Sequence, residues 1–163
     1  MSSLSNKEKV CVIGSGSWGS AMALKIALNC ERLDFCVDRV NMWVRDPVLA
    51  KTIEEKHENP KYLPGITLPH NFAAVTDLAE AVQGATLLIF VVPHQYLPNL
   101  LPTIRDNIEP GACRGVSLIK GLGKSNRIRS VVHRDLHFLQ CRQRLRGSSS
   151  SHRVLDCNTS CRV

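Results

Sequence analysis

The sequence predicts an α/β fold, a parallel sheet wound with helices on both faces. Three observations carry that expectation. Five short apolar runs alternate with segments of helical period, at the spacing of strand–helix units. One run, Thr86-Leu87-Leu88-Ile89-Phe90-Val91-Val92, is apolar without alternation, as befits a central strand covered on both sides. The first run closes in Gly14-Ser15-Gly16-Ser17-Trp18-Gly19, a Gly-x-Gly-x-x-Gly turn followed by small and apolar residues at helical spacing.

The first strand is Lys9 to Ile13, rich in β-branched residues. In the turn after it, Gly14 permits the sharp reversal, Gly16 permits a pyrophosphate to approach the backbone, and Gly19 permits close helix–strand packing. The N–H groups of the opening helix then face an anion with the positive end of the helix dipole behind them. Gly14, Ser15, Gly16, Ser17, Trp18 and Gly19 are therefore the candidate cradle of a dinucleotide, and the fold expected is the Rossmann type.

Ala21 to Cys30 is the first crossover helix and Val40 to Val44 the second strand, stopped by Arg45-Asp46-Pro47. The end of this strand reads the adenosine ribose: an acid takes its two hydroxyls, an arginine a 2′-phosphate. With Arg45 first and Asp46 next, these residues leave NAD and NADP both open. A helix is expected over Val48 to His57, ended by Pro60 and the Leu63-Pro64-Gly65 turn, and a third strand over Phe72 to Val75. Thr76-Asp77 caps a helix from Leu78 to Gln83, with Gly84 as its stop. The central strand ends at Pro93-His94-Gln95-Tyr96, on the sheet edge where ligands of open α/β sheets bind. A helix over Tyr96 to Asn107 and a fifth strand, Gly115 to Ile119, follow, with Lys120 at the same edge.

A length of 163 residues and 44% hydrophobic content fit one globular domain. No apolar run reaches the length of a membrane span, and Met1 to Glu8 has no signal-peptide core, so no membrane contact and a cytoplasmic location are expected. Seven cysteines without a CxxC pair or metal-ligand spacing point to reduced thiols and no metal. The net charge of +7 is uneven: residues 1–120 are neutral, and the excess falls in 121–163, with eight arginines and one lysine against two aspartates. That segment also carries Ser148 to Ser151, and a short helix over Ser130 to Gln140 is the only element expected in it. The domain is therefore set at residues 1–123, and 124–163 is expected to be a disordered basic tail from altered splicing or a shifted frame. With few aromatics and no recognisable motif, its arginines do not point to nucleic acid.

Taken together and in order, Val12 to Ala21, Met42-Trp43-Val44, His57-Glu58-Asn59-Pro60-Lys61-Tyr62-Leu63-Pro64-Gly65, Phe90-Val91-Val92-Pro93-His94-Gln95 and Ser117-Leu118-Ile119-Lys120-Gly121 resemble the NAD-dependent glycerol-3-phosphate dehydrogenases of eukaryotic cytosol. The resemblance covers about residues 8–123. It implies NAD as cofactor, hydride transfer between NAD(H) and sn-glycerol 3-phosphate or dihydroxyacetone phosphate, and a phosphorylated small molecule as substrate. It further implies cofactor contacts at Gly14 to Gly19 and at Arg45 and Tyr96, both commonly phenylalanine in relatives, and substrate binding by Lys120. In relatives the proton donor is a second lysine, in a helical C-terminal substrate domain that no segment here resembles. The Rossmann sheet is thus expected to be incomplete, with no catalytic residue identified and the chain inactive alone. The alternative is a non-catalytic NAD(H)-binding isoform that forms a homodimer or pairs with a full-length subunit.

Overall fold

A computed structural model describes residues 7–34, 36–37, 39–109 and 111–119 and the backbone of 137–140. Its main sheet has six parallel strands in the order β5-β2-β1-β6-β7-β8. In chain order these are β1 (Val10–Ile13), β2 (Val40–Trp43), β5 (Phe72–Val75), β6 (Leu87–Phe90), β7 (Arg114–Ser117) and β8 (His137–Gln140). The crossovers carry α1 (Ser17–Cys30), α2 (Pro47–Lys56), α3 (Leu78–Val82) and α4 (Leu97–Asn107). A small antiparallel pair, β3 (Glu58–Asn59) and β4 (Leu63–Thr67), stands apart from the main sheet.

All four residues of β1 are buried, and the period of two along a strand divides them between two cores. Cys11 and Ile13 join Leu88 and Phe90 of β6 beneath α3 and α4, with Val82, Leu97, Leu101 and Ile104. Val10 and Val12 join Val40, Met42 and Ile89 beneath α1 and α2, with Ala23, Ala27, Leu49 and Ile53. This two-sided burial is the reason for the continuous apolar runs, and it fixes the sheet as doubly wound. The sequence expectation of an α/β, Rossmann-type parallel sheet is met.

Several elements differ from expectation for identifiable reasons. The first helix begins at Ser17, inside the glycine turn, rather than at Ala21. Pro47 opens α2 instead of only stopping β2: it occupies the first turn, where its missing N–H costs nothing, and the Asp46 carboxylate caps Val48 N at 3.0 Å and Leu49 N at 3.3 Å. The segment expected to be only a turn after α2 is a hairpin. Tyr62 N donates to Asn59 Oδ1 at 3.1 Å and Gly65 N to Glu58 Oε1 at 2.8 Å, so its turn is closed by side chains, with Gly65 at a left-handed φ of 74°. In place of the short helix expected within Ser130–Gln140, His137–Gln140 pairs in parallel with β7, from Arg114↔His137 to Ser117↔Gln140. Those four residues of the expected tail thus extend the sheet; the rest of 124–163 lies outside the described residues.

At the amino ends of the strands, Thr86 Oγ1 donates to Glu8 Oε2 at 2.6 Å, and Arg114 pairs with the same carboxylate. The Thr86 hydrogen bond, and after it Arg114, hold the Glu8 carboxyl below its ordinary value of 4.5, against the opposing effect of partial burial. A carboxylate lowered on folding stabilises above its ordinary pKa, and that contribution fades as pH falls through the folded value. Glu8→Gln should therefore lower stability by about 1 kcal/mol at neutral pH. The gap to the unchanged protein should close on acidification well below 4.5; melting temperatures that stay equally far apart would show that charge is not the cause. The Cys11 and Cys113 thiols lie in the core, where burial pushes them up to about 12 and about 11 and leaves no reactive thiolate.

Candidate functional site

At the centre of the sheet the winding changes direction: β2 and β5 lie to one side of β1, and β6, β7 and β8 to the other. The crevice at the carboxyl ends of β1 and β6 is the place where such sheets hold ligands. The glycine turn sits there. Gly14, at φ 121°, is a conformation closed to most side chains, and a Cβ on it would lie 3.0 Å from Val92 Cγ1 and 3.3 Å from the Val91 carbonyl carbon. A Cβ on Gly19 would lie 2.1 Å from the Gly14 carbonyl oxygen, so α1 crosses the turn with no room for a side chain. Gly16 is different. A Cβ there would meet nothing within 4 Å: its missing side chain leaves open space facing solvent rather than a packing contact.

Gly16 is also the N-cap of α1. Its helix start has no side-chain cap and no acidic residue in its first turn, so nothing covalent to the chain neutralises the positive end of the dipole. Ser17 and Trp18 are exposed on that first turn, whereas Gly19 and Ser20 are buried. An unobstructed backbone around Gly16, an uncapped helix end and the exposed Ser17 beside it fit the pyrophosphate of a dinucleotide.

The turn is held from below by residues the sequence reading did not single out. Ser20 Oγ donates to the Ser15 carbonyl oxygen at 3.2 Å. Asn59, fully buried, donates from Nδ2 to Ser20 Oγ at 2.8 Å and to the same Ser15 carbonyl at 3.4 Å. The hairpin therefore braces the loop, and all three hydrogen-bonding positions named are spent on holding it. A buried asparagine within the His57-to-Gly65 motif and a serine among the small residues of α1 were the available signals.

Arg45 and Tyr96 come from opposite sides of β1. Arg45 lies two residues beyond Trp43, which pairs with Ile13 of β1, and Tyr96 ends a turn of 3₁₀ helix, His94–Tyr96, after β6. Their side chains meet across the carboxyl end of β1, the guanidinium 5.7 Å from the ring centroid. Both are exposed, so a ligand can reach either. Lys61 of the hairpin reaches the same corner, 4.0 Å from Asp46 Oδ2. Lys120 lies outside the described residues; β7 and the half-buried Leu118 and Ile119 carry the chain to that edge just before it. Among the described residues no cluster of side chains has the makings of a metal site, and no helix is long and apolar enough to cross a membrane.

Comparison with known proteins agrees with this geometry. A family described as the NAD-dependent glycerol-3-phosphate dehydrogenase N-terminus matches residues 9–155, past residue 123 where the sequence expectation ends the domain. The cytoplasmic glycerol-3-phosphate dehydrogenase [NAD(+)] of Drosophila melanogaster is 44% identical over 127 residues, 75% of this chain and 35% of its own length. The human glycerol-3-phosphate dehydrogenase 1-like protein is 44% identical over 119 residues, 70% of this chain and 34% of its own. The chain thus spans about a third of the length of these relatives. Among solved structures, the glycerol-3-phosphate dehydrogenases of Saccharomyces cerevisiae and Plasmodium falciparum superpose with a TM-score of 0.72 each. They are 32% and 34% identical, and the match covers 82% and 83% of this chain and 40% of each of theirs.

Proposed function

The chain belongs to the NAD-dependent glycerol-3-phosphate dehydrogenase family, and from that premise we propose that it is the cofactor-binding part of that dehydrogenase. Its reaction interconverts sn-glycerol 3-phosphate and dihydroxyacetone phosphate with NAD(H), and its location is the cytoplasm, as the relative's name says of the fly enzyme. The observation that carries the reading is the open backbone at Gly16 beside the uncapped start of α1. When bound, the nicotinamide supplies or accepts the hydride. The work of this chain's residues is to bind and orient. The N–H groups at Gly16, Ser17 and Trp18 grip the pyrophosphate, Gly14 and Gly19 let the turn close beneath it, and Arg45 and Tyr96 flank the adenosine side. Lys120 is the substrate contact, a cation for the phosphate or polarised carbonyl of the triose. Pairing with a second copy or with a full-length subunit is part of the same proposal.

Calorimetric titration of the full chain with NADH tests the cofactor half, with micromolar binding expected; absence of binding at millimolar NADH overturns the proposal. NADH oxidation with dihydroxyacetone phosphate, measured beside Lys120→Ala, tests the substrate half. Turnover that falls in the variant supports the role of Lys120, and turnover that is unchanged removes it.

A further inference from the structure

We infer that Asn59 of the hairpin is a positioning residue for cofactor binding: with Ser20 it holds the Ser15 carbonyl inward and so keeps the Gly16 N–H turned to the diphosphate. The inference rests on the dinucleotide reading above and deepens it. One peptide plane of the glycine turn is not set by the helix. Ser20 N donates to the Gly16 carbonyl at 2.8 Å, so α1 itself fixes the peptide between Gly16 and Ser17. The peptide before it, Ser15–Gly16, lies outside that ladder. Turning it over would carry the Gly16 φ from −69° into the positive region, which is open to glycine. Something other than sterics must therefore hold it.

The two orientations of that plane are opposite in polarity. In a trans peptide the carbonyl and the N–H point in opposite directions, and no described peptide bond is cis. The Ser15 carbonyl accepts from Ser20 Oγ at 3.2 Å and from Asn59 Nδ2 at 3.4 Å. The Gly16 N–H therefore faces away from this brace, and among the described residues it has no acceptor. Turned over, the plane would offer a phosphate a carbonyl oxygen in place of a donor.

The direction of the brace is set in the hairpin. Tyr62 N donates to Asn59 Oδ1 at 3.1 Å, which fixes the oxygen end of the amide and leaves Nδ2 for the loop. Nδ2 donates to Ser20 Oγ at 2.8 Å, and that hydroxyl, accepting there, gives its own proton to the Ser15 carbonyl. Reversing the amide would set two donors, Nδ2 and the Tyr62 N–H, against each other. The asparagine is wholly buried, so its direction is not softened by solvent.

The test titrates the full chain with ADP, by calorimetry, and with adenosine, by ligand-detected NMR. It compares Ser20→Ala, Asn59→Ala, the double variant and the unchanged protein. All the substitutions are neutral, so none repels phosphate by charge. Each single change should lower the ratio of ADP to adenosine affinity about 3- to 10-fold. The double change should lower it about 10- to 100-fold, the scale of one charge-assisted hydrogen bond. A general loosening of the fold would weaken adenosine and ADP alike and leave the ratio where it was. A ratio that the variants leave unmoved overturns the inference. Should the asparagine variants fail to fold, Ser20→Ala decides alone, since alanine is the strongest helix former and suits α1. An unchanged protein that binds neither ADP nor NADH overturns the dinucleotide reading and this inference with it. ADP binding with an unmoved ratio overturns this inference only.

Discussion

Gly19→Ala is expected to lower the melting temperature severely, and Gly16→Ala to fold normally yet bind NADH poorly. The two glycines lie three residues apart in one motif, and the space around them decides the difference. A methyl on Gly19 would sit 2.1 Å from the Gly14 carbonyl oxygen and 3.0 Å from its carbon, atoms of a backbone that cannot rotate away. Relief would require α1 to lift from β1, breaking the contacts of Ala23 and Ala27 in the core, and a loss of at least about 3 kcal/mol is expected. Domains of this size have about 5–15 kcal/mol in all. At Gly16 the same methyl meets nothing within 4 Å, and the backbone, at φ −69° and ψ 178°, is one that any residue adopts. Stability should change by no more than about 0.5 kcal/mol, while a methyl in the space meant for pyrophosphate should weaken NADH by about 10- to 100-fold. Thermal melts and calorimetry on both variants separate the effects. Wild-type NADH affinity in Gly16→Ala would mean that the phosphates lie elsewhere.

The second large effect is expected at Asn59. Replacing it with leucine removes the buried donor to Ser20 Oγ and the part-buried one to the Ser15 carbonyl, and leaves the part-buried Tyr62 N–H without its acceptor. The expected loss is roughly 2–4 kcal/mol. Asn59→Asp distinguishes bracing from bulk. It keeps the shape and the acceptor for Tyr62, but a carboxylate cannot donate and would face the Ser15 carbonyl with like polarity. Hydrogen exchange at the Ser20 amide, which donates to the Gly16 carbonyl at 2.8 Å, should then accelerate while the amides of α2 keep their protection. Exchange at the loop that is unchanged in Asn59→Asp would show that the hairpin does not hold it.

Much of this was legible because the signals are local. The glycine turn, the buried strands β1 and β6 and the aspartate cap at Asp77 each depend on residues a few positions apart. Asn59 was not legible as a brace because its partner Ser20 lies 39 residues away, and no short-range pattern encodes that contact. The hairpin was hidden by Pro60 and Pro64, which read as punctuation although both fit a two-stranded ribbon whose edges face outward. Arg45 and Tyr96 were each placed at a strand end by sequence, but their meeting depends on strand order, which brings β2 and β6 to either side of β1. β8 escaped because four residues amid arginines carry too little periodicity to mark a strand; its pairing comes from the edge β7 offers.

The exposed Trp18 on the first turn of α1 has an optical consequence. The chain has two tryptophans, and the other, Trp43, is half-buried with its indole N–H on the Thr76 carbonyl at 3.0 Å. Their emission should differ in colour, the solvated Trp18 to the red of Trp43. Anything seated on the glycine turn would touch the red component first. The protein thus carries its own fluorescent gauge of cofactor occupancy, with Trp18 as the reporter and Trp43 as the built-in reference.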